Sequence, residues 1–445
     1  MPQENVLFVI VDDQRADTVG ALGNDEIETP TLDRLCHEGT SLEPYTSVPV
    51  CTPSRAEVLS GRTGFRNGVR WFGEELDDDV TLLPEALGSA GYQTCFTGKW
   101  HLETHPSDAG YDDVRRYRPG GMIEGDHWIE FDEDGGTVSG HSTDLITEAA
   151  MDFVGSADEP WFCHVGFFSP HDPRTPPEPF ASMYDPEDVS IPPNYMPEHP
   201  FDNGEMTIRD ELLESWPRTE EAVRAHLADY YGMITHHDYQ IGRLLDELER
   251  TGQREETLVV FTSDHGLAVG SHGLMGKENL YEHSVRVPLV LSGPGVPSGR
   301  RSDALVRHAD LYPTLLELLD VEPPGGLTGE SYVPVVRGDA DTHRESVCCT
   351  YRDRQRSIRD ERWKYIVYPR TGREQLFDLA SDPHELRNLL DDWRLRPNEQ
   401  WGYEPPLDPE RAAELADDLR GALREWQTDV GDPLADATAD TTDSD

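Results

Sequence analysis

Two pairs of potential metal ligands each follow a short apolar run. Asp12-Asp13 come directly after NVLFVIV, and Asp264-His265 come directly after TLVVFTS. Runs of this kind are typical of buried parallel strands, and the carboxyl ends of such strands meet at one edge of a sheet. Carboxylate and imidazole groups at two such ends can bind one divalent cation. Although either pair alone is weak evidence in so acidic a chain, the two together predict a metal site at this edge.

The chain's few lysines also point to chemistry. Lysine occurs only at Lys99, Lys277 and Lys364, whereas arginine is plentiful. We expect Lys99 and Lys277 to lie where a compact ammonium charge cannot be replaced by a planar guanidinium. For Lys364, in the segment RWKY, we expect an incidental position on a solvated face. His236 and His237 fall on a long predicted helix and are interpreted as packing or capping groups.

The composition limits the kinds of partner. Asp and Glu outnumber Lys and Arg by 87 to 38, and the resulting net charge of −49 is spread along the whole chain. This excess of acid with almost no lysine resembles adaptation to a high-salt cytosol in a halophile. Since a polyacid surface repels nucleic acids and anionic membranes, we expect neither as a partner. In molar salt the Debye length is about 3 Å, so a small anion can still enter a pocket.

The cysteines and the N-terminus indicate a cellular location. The spacing of the six cysteines is not that of a disulfide framework, which favours reduced thiols in a chain of 445 residues. No charged-then-apolar leader precedes Val6, and no apolar run is long enough to span a bilayer. We therefore expect a soluble cytoplasmic protein. The sequence does not indicate the oligomeric state.

Apolar runs alternate with helical patterns through residues 1–340. Two further buried runs are WFCHVGFF at 161–168 and VPLVLSG at 287–293, and helices are predicted at 81–91 and at about 221–250. Alternation of this kind predicts an α/β fold, with a large, mostly parallel sheet sandwiched by helices.

Three segments have other patterns. Residues 345–430 combine strand-and-turn patterns, SIRDERWKYIVYP and EQLFDLASDP, with a helix at 408–427, which predicts a smaller C-terminal α+β subdomain. Residues 431–445 are acidic and rich in small residues, and we predict a disordered tail. Residues 172–220 have many Pro, Asp and Glu and no clear period, and so long an irregular insertion is more often functional than inert.

Residues 51–62, CTPSRAEVLSGR, resemble the signature of the type I, formylglycine-dependent sulfatases, which belong to the alkaline phosphatase superfamily. The matching positions are Cys51, Pro53, Ser54, Arg55, Leu59, Ser60, Gly61 and Arg62. GKWH, SPHDP and LMGKENLYEH are similar to further elements of this family and occur in the family's order. The resemblance covers nearly the whole chain, is closest to the iduronate-sulfatase-like and polysaccharide sulfatases, and implies an alkaline-phosphatase-like fold.

The resemblance also implies the site residues. Cys51 would be converted after translation to formylglycine (3-oxoalanine) by a formylglycine-generating enzyme of the host. The implied catalytic residues are Cys51, Arg55, Lys99, His101, His171 and Lys277. The implied metal ligands are Asp12, Asp13, Cys51, Asp264 and His265, with Ca²⁺ as the expected ion and Mg²⁺ or Mn²⁺ as alternatives. Many relatives have Asn at position 265, and an imidazole there also suits Mn²⁺ or Zn²⁺.

A mechanism of sulfate ester hydrolysis is implied as well. Hydrated formylglycine at Cys51 is a gem-diol, and one of its hydroxyls attacks sulfur after activation by the metal and by a carboxylate such as Asp264. Arg55 would stabilise the charges of the gem-diol and of the metal site.

Proton transfer and sulfate binding are assigned to four further side chains. The leaving alcohol would take a proton from His171 or Lys277, and the second gem-diol hydroxyl would lose its proton to His101. Lys99 and Lys277 would bind the sulfate oxygens. The sequence supports these residues as a group and does not separate their roles.

Three functions are compatible with these residues. The leading hypothesis is a sulfatase that acts on a sulfated saccharide or a small organic sulfate. A phosphonate monoester or phosphodiester hydrolase would use the same nucleophile. A non-catalytic metal-binding homologue would keep Cys51 as a thiol, but it would not need so many cationic and histidine side chains.

Overall fold

The computed structural model describes residues 4–121, 123, 125–133, 136–157, 160–391 and 406–435. In chain order its strands are β1 (Asn5–Val11), β2 (Thr40–Leu42), β3 (Gln93–Lys99), β4 (Asp113–Arg118), β5 (Trp128–Glu133), β6 (Gly136–His141), β7 (Trp161–Gly166), β8 (Thr257–Ser263), β9 (Leu289–Ser292), β10 (Arg300–Arg301), β11 (Val347–Tyr351), β12 (Gln355–Arg359), β13 (Trp363–Tyr368) and β14 (Arg373–Asp378).

Its helices, also in chain order, are α1 (Pro30–Glu38), α2 (Cys51–Ser60), α3 (Gly64–Asn67), α4 (Leu83–Ser89), α5 (Ser142–Val154), α6 (Glu220–Thr251), α7 (Glu282–Val285), α8 (His308–Leu318), α9 (Val333–Arg337) and α10 (Pro409–Val430). Short 3-10 turns lie at Gly20–Leu22, Pro106–Ala109, Phe180–Ser182, Asp210–Leu213 and Arg254–Glu256. Within the described ranges, no helix is both long enough and apolar enough to cross a membrane.

Eight strands of the described residues form one twisted sheet in the order β10-β2-β9-β8-β1-β7-β3-β4. The neighbouring strands from β8 to β4 are parallel, which confirms the mostly parallel sheet. The run at 287–293 forms β9, but β9 pairs antiparallel with β8, so the expectation that this run is a parallel strand was wrong. Periodicity does not distinguish the two directions, because a buried strand of either direction is apolar on both faces.

Helices cover both faces of the sheet, as the alternating pattern predicts. Along β1, Leu7 and Val9 face a core shared with α1, α5 and α6, whereas Val6 and Phe8 face a core shared with α2, α4 and α8. All four side chains are fully buried. Burial on both faces explains why the strand is apolar at every position, and it holds the ends of β1 and its neighbours in fixed places.

The C-terminal part forms a separate antiparallel sheet of β11 to β14, with α10 packed on one face. The other face packs against the main part of the chain through a cluster that includes Val50, Tyr281, Val285 and Phe377. This arrangement confirms the smaller C-terminal α+β subdomain. Residues 392–405 of the predicted subdomain lie outside the described residues.

The structure describes the first five residues of the predicted tail, 431–435. Asp432 is 4% exposed, and its carboxylate accepts hydrogen bonds from Arg356, from Nε at 2.6 Å and from Nη2 at 2.9 Å. The disordered tail from 431 stays a prediction, and the buried pairing of Asp432 could not be recognised from the composition of the segment. Residues 436–445 lie outside the described residues.

Lys364 does not lie on a solvated face, and that expectation was wrong. Its side chain is 2% exposed, and Nζ lies 2.9 Å from Glu282 Oε1 and 2.8 Å from Glu385 Oε1. Lys364 belongs to β13, whereas Glu282 belongs to α7 of the main part of the chain. The ammonium thus joins the subdomain to the segment that follows Lys277.

We predict that Lys364→Met destabilises the fold by about 3 kcal/mol, since removing one partner leaves buried charge without compensation. Burial already raises the pKa of Glu385 to about 7, against the opposing effect of the Lys364 charge. Denaturant unfolding of the two proteins measures the difference. The matched control is Arg337→Ala, which removes an exposed cation; equal losses in both variants would contradict the prediction.

Candidate active site

The two predicted ligand pairs lie side by side at the carboxyl edge of the main sheet. Val11 and Ser263, the last residues of β1 and β8, are directly paired in the sheet. The two ligand pairs that follow them therefore begin at neighbouring positions. The backbone N–H of Asp13 donates to Asp264 Oδ1 at 3.3 Å. Asp13 has φ = 73°, a left-handed conformation that Asp tolerates better than most residues. These contacts place both pairs around one point, as the sequence predicts.

Helix α2 delivers residue 51 to the same point. The helix begins at Cys51, and its Ser54 hydroxyl donates to the carbonyl oxygen of Asp264 at 2.6 Å. Pro53 occupies the first turn, where its missing N–H removes no helical hydrogen bond. The helix ends at Gly61, whose φ of 62° suits glycine. The signature residues Pro53, Ser54 and Gly61 therefore set the position and length of the helix rather than the chemistry.

The Cys51 thiol lies among ligand-type and cationic groups. Its Sγ is 3.2 Å from His265 Nε2 and 3.4 Å from Asp12 Oδ1. The ammonium nitrogens of Lys99 and Lys277 lie 3.8 Å and 3.7 Å from Sγ. Cys51 is only 2% exposed. An anionic group attached to residue 51 would therefore be bound by two ammonium groups near the N-terminus of a helix, where negative charge is favoured.

Arg55 and Lys99 neutralise the carboxylates beside Cys51. Arg55 Nε donates to Asp264 Oδ2 at 2.9 Å, and its Nη1 donates to the carbonyl oxygen of Lys99 at 3.0 Å. The Lys99 ammonium forms an ion pair with Asp12. Gly166, on the neighbouring strand β7, makes room for the hydrogen bond between Arg55 and the Lys99 carbonyl oxygen. A Cβ at this position would lie 2.4 Å from that oxygen and 3.4 Å from Arg55 Nη1.

Lys277 approaches from the opposite side of the site. Its Nζ lies 3.0 Å from Asp13 Oδ1 and 3.7 Å from Asp210 Oδ2. Burial lowers the pKa of Lys277, but the surrounding anions, Asp13 first, raise it well above its ordinary value. Lys277 is therefore a cation at neutral pH. Asp210 comes from the irregular insertion at 172–220, which brings this segment to the site.

Glu211 holds the segment that carries Lys277, and sequence reasoning missed both Asp210 and Glu211. The buried carboxylate of Glu211 accepts backbone hydrogen bonds from Met275 at 3.0 Å and Gly276 at 2.9 Å. Arg218 Nη2 donates to its Oε2 at 2.7 Å. No sequence signal separates these two acids from the many others in the insertion, since their role depends on contacts more than 60 positions away.

His171 lies against the proposed metal ligands. Its Nδ1–H donates to the carbonyl oxygen of Asp172 at 2.7 Å, which leaves Nε2, 3.9 Å from Asp13 Oδ2, as the nitrogen that faces the site. Burial and the Lys277 charge hold its pKa well below the ordinary value. The neutral ring therefore presents a lone pair to the site.

His101 lies at the rim. It has φ = 65°, its ring stacks on Phe72 at 5.3 Å between ring centroids, and its Nδ1 has no hydrogen-bond partner. Burial and the nearby Lys99 charge lower its pKa to about 2, so the ring is neutral at physiological pH. By contrast, His236 and His237 are buried in α6, where they bond to Asp144 and Ser169 respectively.

The donors at the sheet edge fit a divalent cation. Ligand atoms of Asp12, Cys51, Asp264 and His265 all lie within 4.8 Å of one another, and Asp12, Asp13 and His171 form an overlapping group. Burial, followed by the charge of Asp12, raises the pKa of Asp264. A divalent ion would relieve both effects, and oxygen donors suit Ca²⁺ or Mg²⁺.

The Sulfatase family matches residues 4–321 of the chain, and the family described as N-sulphoglucosamine sulphohydrolase, C-terminal, matches residues 270–399. The chain belongs to the sulfatase family. It is therefore a sulfuric ester hydrolase of the alkaline phosphatase superfamily. A curated relative, the arylsulfatase of Clostridium perfringens, is 29% identical over 87% of this chain and 90% of its own length.

Solved structures share the sulfatase fold. One, determined in complex with its substrate D-glucosamine-2-N,6-O-disulfate, has a TM-score of 0.79 and 24% identity over 98% of this chain and 99% of its own. Another, the phosphonate monoester hydrolase of Agrobacterium radiobacter, has a TM-score of 0.77 and 23% identity, and covers 96% of each chain. The two likenesses establish the architecture around the site and leave the substrate open.

We predict that Lys99→Arg lowers kcat/KM for an aryl sulfate by on the order of 100-fold, because a planar guanidinium does not fit where the compact ammonium contacts Asp12 and residue 51. Lys99 is fully buried, so the larger head group has no room to move aside. Steady-state kinetics and circular dichroism measure activity and folding. The exposed Arg337→Lys is the matched control; activity of Lys99→Arg within twofold of that control would contradict the prediction.

Proposed function

We propose that this sulfatase hydrolyses the sulfate ester of a saccharide or small organic sulfate through formylglycine at residue 51. The observation that carries the proposal is the position of Cys51 Sγ, within 4 Å of both lysine ammonium groups and of two metal-ligand side chains. When converted and hydrated, residue 51 supplies a hydroxyl nucleophile for sulfur. Maturation requires a formylglycine-generating enzyme as a partner of the newly made chain.

The charges of the site support a sulfate substrate. Three cationic side chains, Lys99, Lys277 and Arg55, lie among the carboxylates of Asp12, Asp13 and Asp264, and Asp210 lies 3.7 Å from Lys277, so these acids outnumber the cations by one. A bound divalent ion would make this group net positive. A sulfate ester carries a single negative charge, and a cationic, water-poor site stabilises the charge that develops on its oxygens.

We propose Ca²⁺ as the resident ion, with Mg²⁺ or Mn²⁺ as alternatives. Asp12, Asp13, Asp264 and His265 would hold it together with an oxygen of the modified residue 51. The ion would act as a Lewis acid on the nucleophile and on a sulfate oxygen. Most of the donors are carboxylate oxygens, which favours a hard cation over the softer ions that imidazole alone would select.

The remaining side chains bind the sulfate oxygens and move protons. Lys99 and Lys277 would hold sulfate oxygens, since both ammonium groups face residue 51. The Lys277 ammonium would stand next to the leaving alcohol and supply its proton, whereas His171 Nε2, which presents a lone pair, could supply a proton only after taking one up. His101 would accept a proton from residue 51 in the step that releases sulfate, and its Nδ1 has no other hydrogen-bond partner.

We also propose a cytoplasmic location in a high-salt organism. All six cysteines lie in the described part of the chain and are buried, free thiols, which supports a reducing compartment. The net charge of −49 supports the high-salt adaptation. In a cytoplasm the substrates would be small or imported sulfates rather than intact polymers.

Phosphonate monoester or phosphodiester hydrolysis is the second candidate function. It is favoured by the structural similarity to a phosphonate monoester hydrolase over 96% of the chain. The same nucleophile and cations would serve a phosphorus centre, so the geometry of the core site does not decide between the two reactions.

We predict that residue 51 is formylglycine in protein made by its native host. Mass spectrometry of the tryptic peptide Leu35–Arg55 measures this directly, and alkylation gives a second readout, since the matured peptide retains only the thiol of Cys36. Cys51→Ala should abolish turnover without unfolding, whereas Cys36→Ala should keep it. Doubly alkylated peptide in most molecules, or full activity of Cys51→Ala, would contradict the mechanism and favour a metal-binding homologue.

We predict that the matured enzyme turns over aryl sulfate at least tenfold faster, in kcat/KM, than an aryl phosphodiester with the same leaving group. The comparison holds the alcohol constant, so the ratio reports discrimination at the central atom alone. Parallel assays in molar salt on one preparation measure the ratio. A ratio inverted in favour of the phosphodiester would identify the second candidate as the function.

A further inference from the structure

A cationic, aromatic cavity lies between the main part of the chain and the C-terminal subdomain. Its volume is 420 Å³, and its walls come from the segment after α2, the turn between β11 and β12, and the residues that follow α10. The aromatic residues in its lining are Phe65, Trp71 and Trp426, and the charged residues are Arg70, Glu74, Arg352, Asp353, Arg356 and Arg370. Arginine thus outnumbers acid here, although acid outnumbers base more than twofold in the whole chain.

We propose that this cavity, called here the interdomain cavity, binds an acidic sugar unit adjacent to the sulfated one. The substrate class would then be an anionic oligosaccharide rather than a small organic sulfate. The identity of the first sugar, which carries the sulfate, rests on the proposed sulfatase function. The identity of the second sugar, which is acidic, is inferred from the residues that line the cavity.

Two consecutive aromatic residues lie between the interdomain cavity and His101. Phe72 is 42% exposed and stacks on His101, and its neighbour Trp71 lines the cavity. The Trp71 and Phe72 rings lie 4.9 Å apart in an edge-to-face arrangement. A chain of sugar units with its sulfate at residue 51 could therefore pass His101 and continue along these rings.

The aromatic rings suit a sugar. Trp71 and Trp426 are half-buried, so each ring keeps part of its surface for a ligand. Tyr351 and Arg352 hold Trp71 in place, with the Tyr351 ring at 5.6 Å and the Arg352 guanidinium at 4.8 Å from it. A rigid, amphipathic ring binds the apolar face of a sugar at low entropic cost, because few torsions must be ordered.

The arginines suit a carboxylate or a second sulfate. Arg352 and Arg354 share Glu205, at 3.6 Å and 3.1 Å, and Arg354 and Arg370 share Asp353, so three guanidinium groups face two carboxylates and one positive charge is left uncompensated. A guanidinium binds a planar carboxylate or a sulfate through paired hydrogen bonds. In molar salt such short contacts persist, whereas long-range attraction does not.

Two residues that follow α10 form part of the wall of the interdomain cavity. Pro433 and Leu434 line the interdomain cavity, and the adjacent Asp432 is held by the buried Arg356. The Arg356–Asp432 ion pair thus holds Pro433 and Leu434 in the wall of the cavity.

Binding to an inactive enzyme tests the proposal without depending on turnover. In a Cys51→Ala background, isothermal calorimetry compares D-glucosamine-2-N,6-O-disulfate with a disaccharide in which this sugar is linked to a uronic acid. We expect the disaccharide to bind at least tenfold more tightly, and Trp426→Ala or Arg352→Ala to remove that advantage while the affinity for the monosaccharide changes less than twofold. Trp128→Ala, which removes a tryptophan that is 62% exposed, is the matched control.

Three outcomes would overturn the proposal. One is equal binding of the monosaccharide and the disaccharide. Another is an undiminished disaccharide advantage in both cavity variants. The third is equal affinity for a disaccharide in which a neutral sugar replaces the uronic acid. If the matured enzyme hydrolyses no sulfate ester but the calorimetric advantage holds, then the proposed function fails and the saccharide site stands.

Discussion

The site depends on the burial of carboxylates against cations at one edge of the sheet. Charges removed from water are costly unless each has a partner at short distance, so the members of such a group fix one another's positions. Here the group has almost no access to solvent. The exposed fractions are 0% for Asp12, Asp264 and Lys99, 1% for Asp13, 2% for Arg55 and 4% for Lys277. The geometry around residue 51 therefore follows from electrostatic pairing as much as from backbone packing.

The supporting elements differ in rigidity. Asp12, Lys99 and Asp264 lie at strand ends of a sheet buried on both faces, and such positions move little. Lys277, by contrast, belongs to an irregular segment, which is held by Glu211 of the insertion rather than by a strand. The insertion is thus part of the site's support, which gives a physical reason for so long a loop in the chain.

The junction with the C-terminal subdomain also contains buried, paired charges. Lys364 neutralises two acids where the subdomain meets the main part of the chain, and it does so in the interior rather than on the surface. The interdomain cavity lies at this boundary too, and its arginines contrast with the acidic remainder. Buried or clustered cations thus occur at the active site, at the joint with the subdomain and around the proposed sugar site.

Much of the fold and the core of the site could be predicted locally. The apolar runs that precede Asp12 and Asp264 located two strand ends, and the elements around Cys51, Lys99 and Lys277 are short motifs within single segments. The strand pattern can be recognised in the sequence because burial on both faces of a strand requires an apolar run. Asp210, Glu211 and the buried Lys364 could not be found in this way, since nothing local separates a paired buried charge from a solvated one.

The sequence by itself determined the family, the mostly parallel α/β architecture and the residues that gather at the sheet edge. The tertiary structure alone decided which charges are buried together, that β9 runs antiparallel, and that residues 431–435 form a wall. It also decided that an aromatic, arginine-lined cavity forms between the main part of the chain and the subdomain. The physical reason is that pairing and enclosure are properties of distances between segments far apart in the chain, whereas strand burial and motif chemistry are properties of the segments themselves.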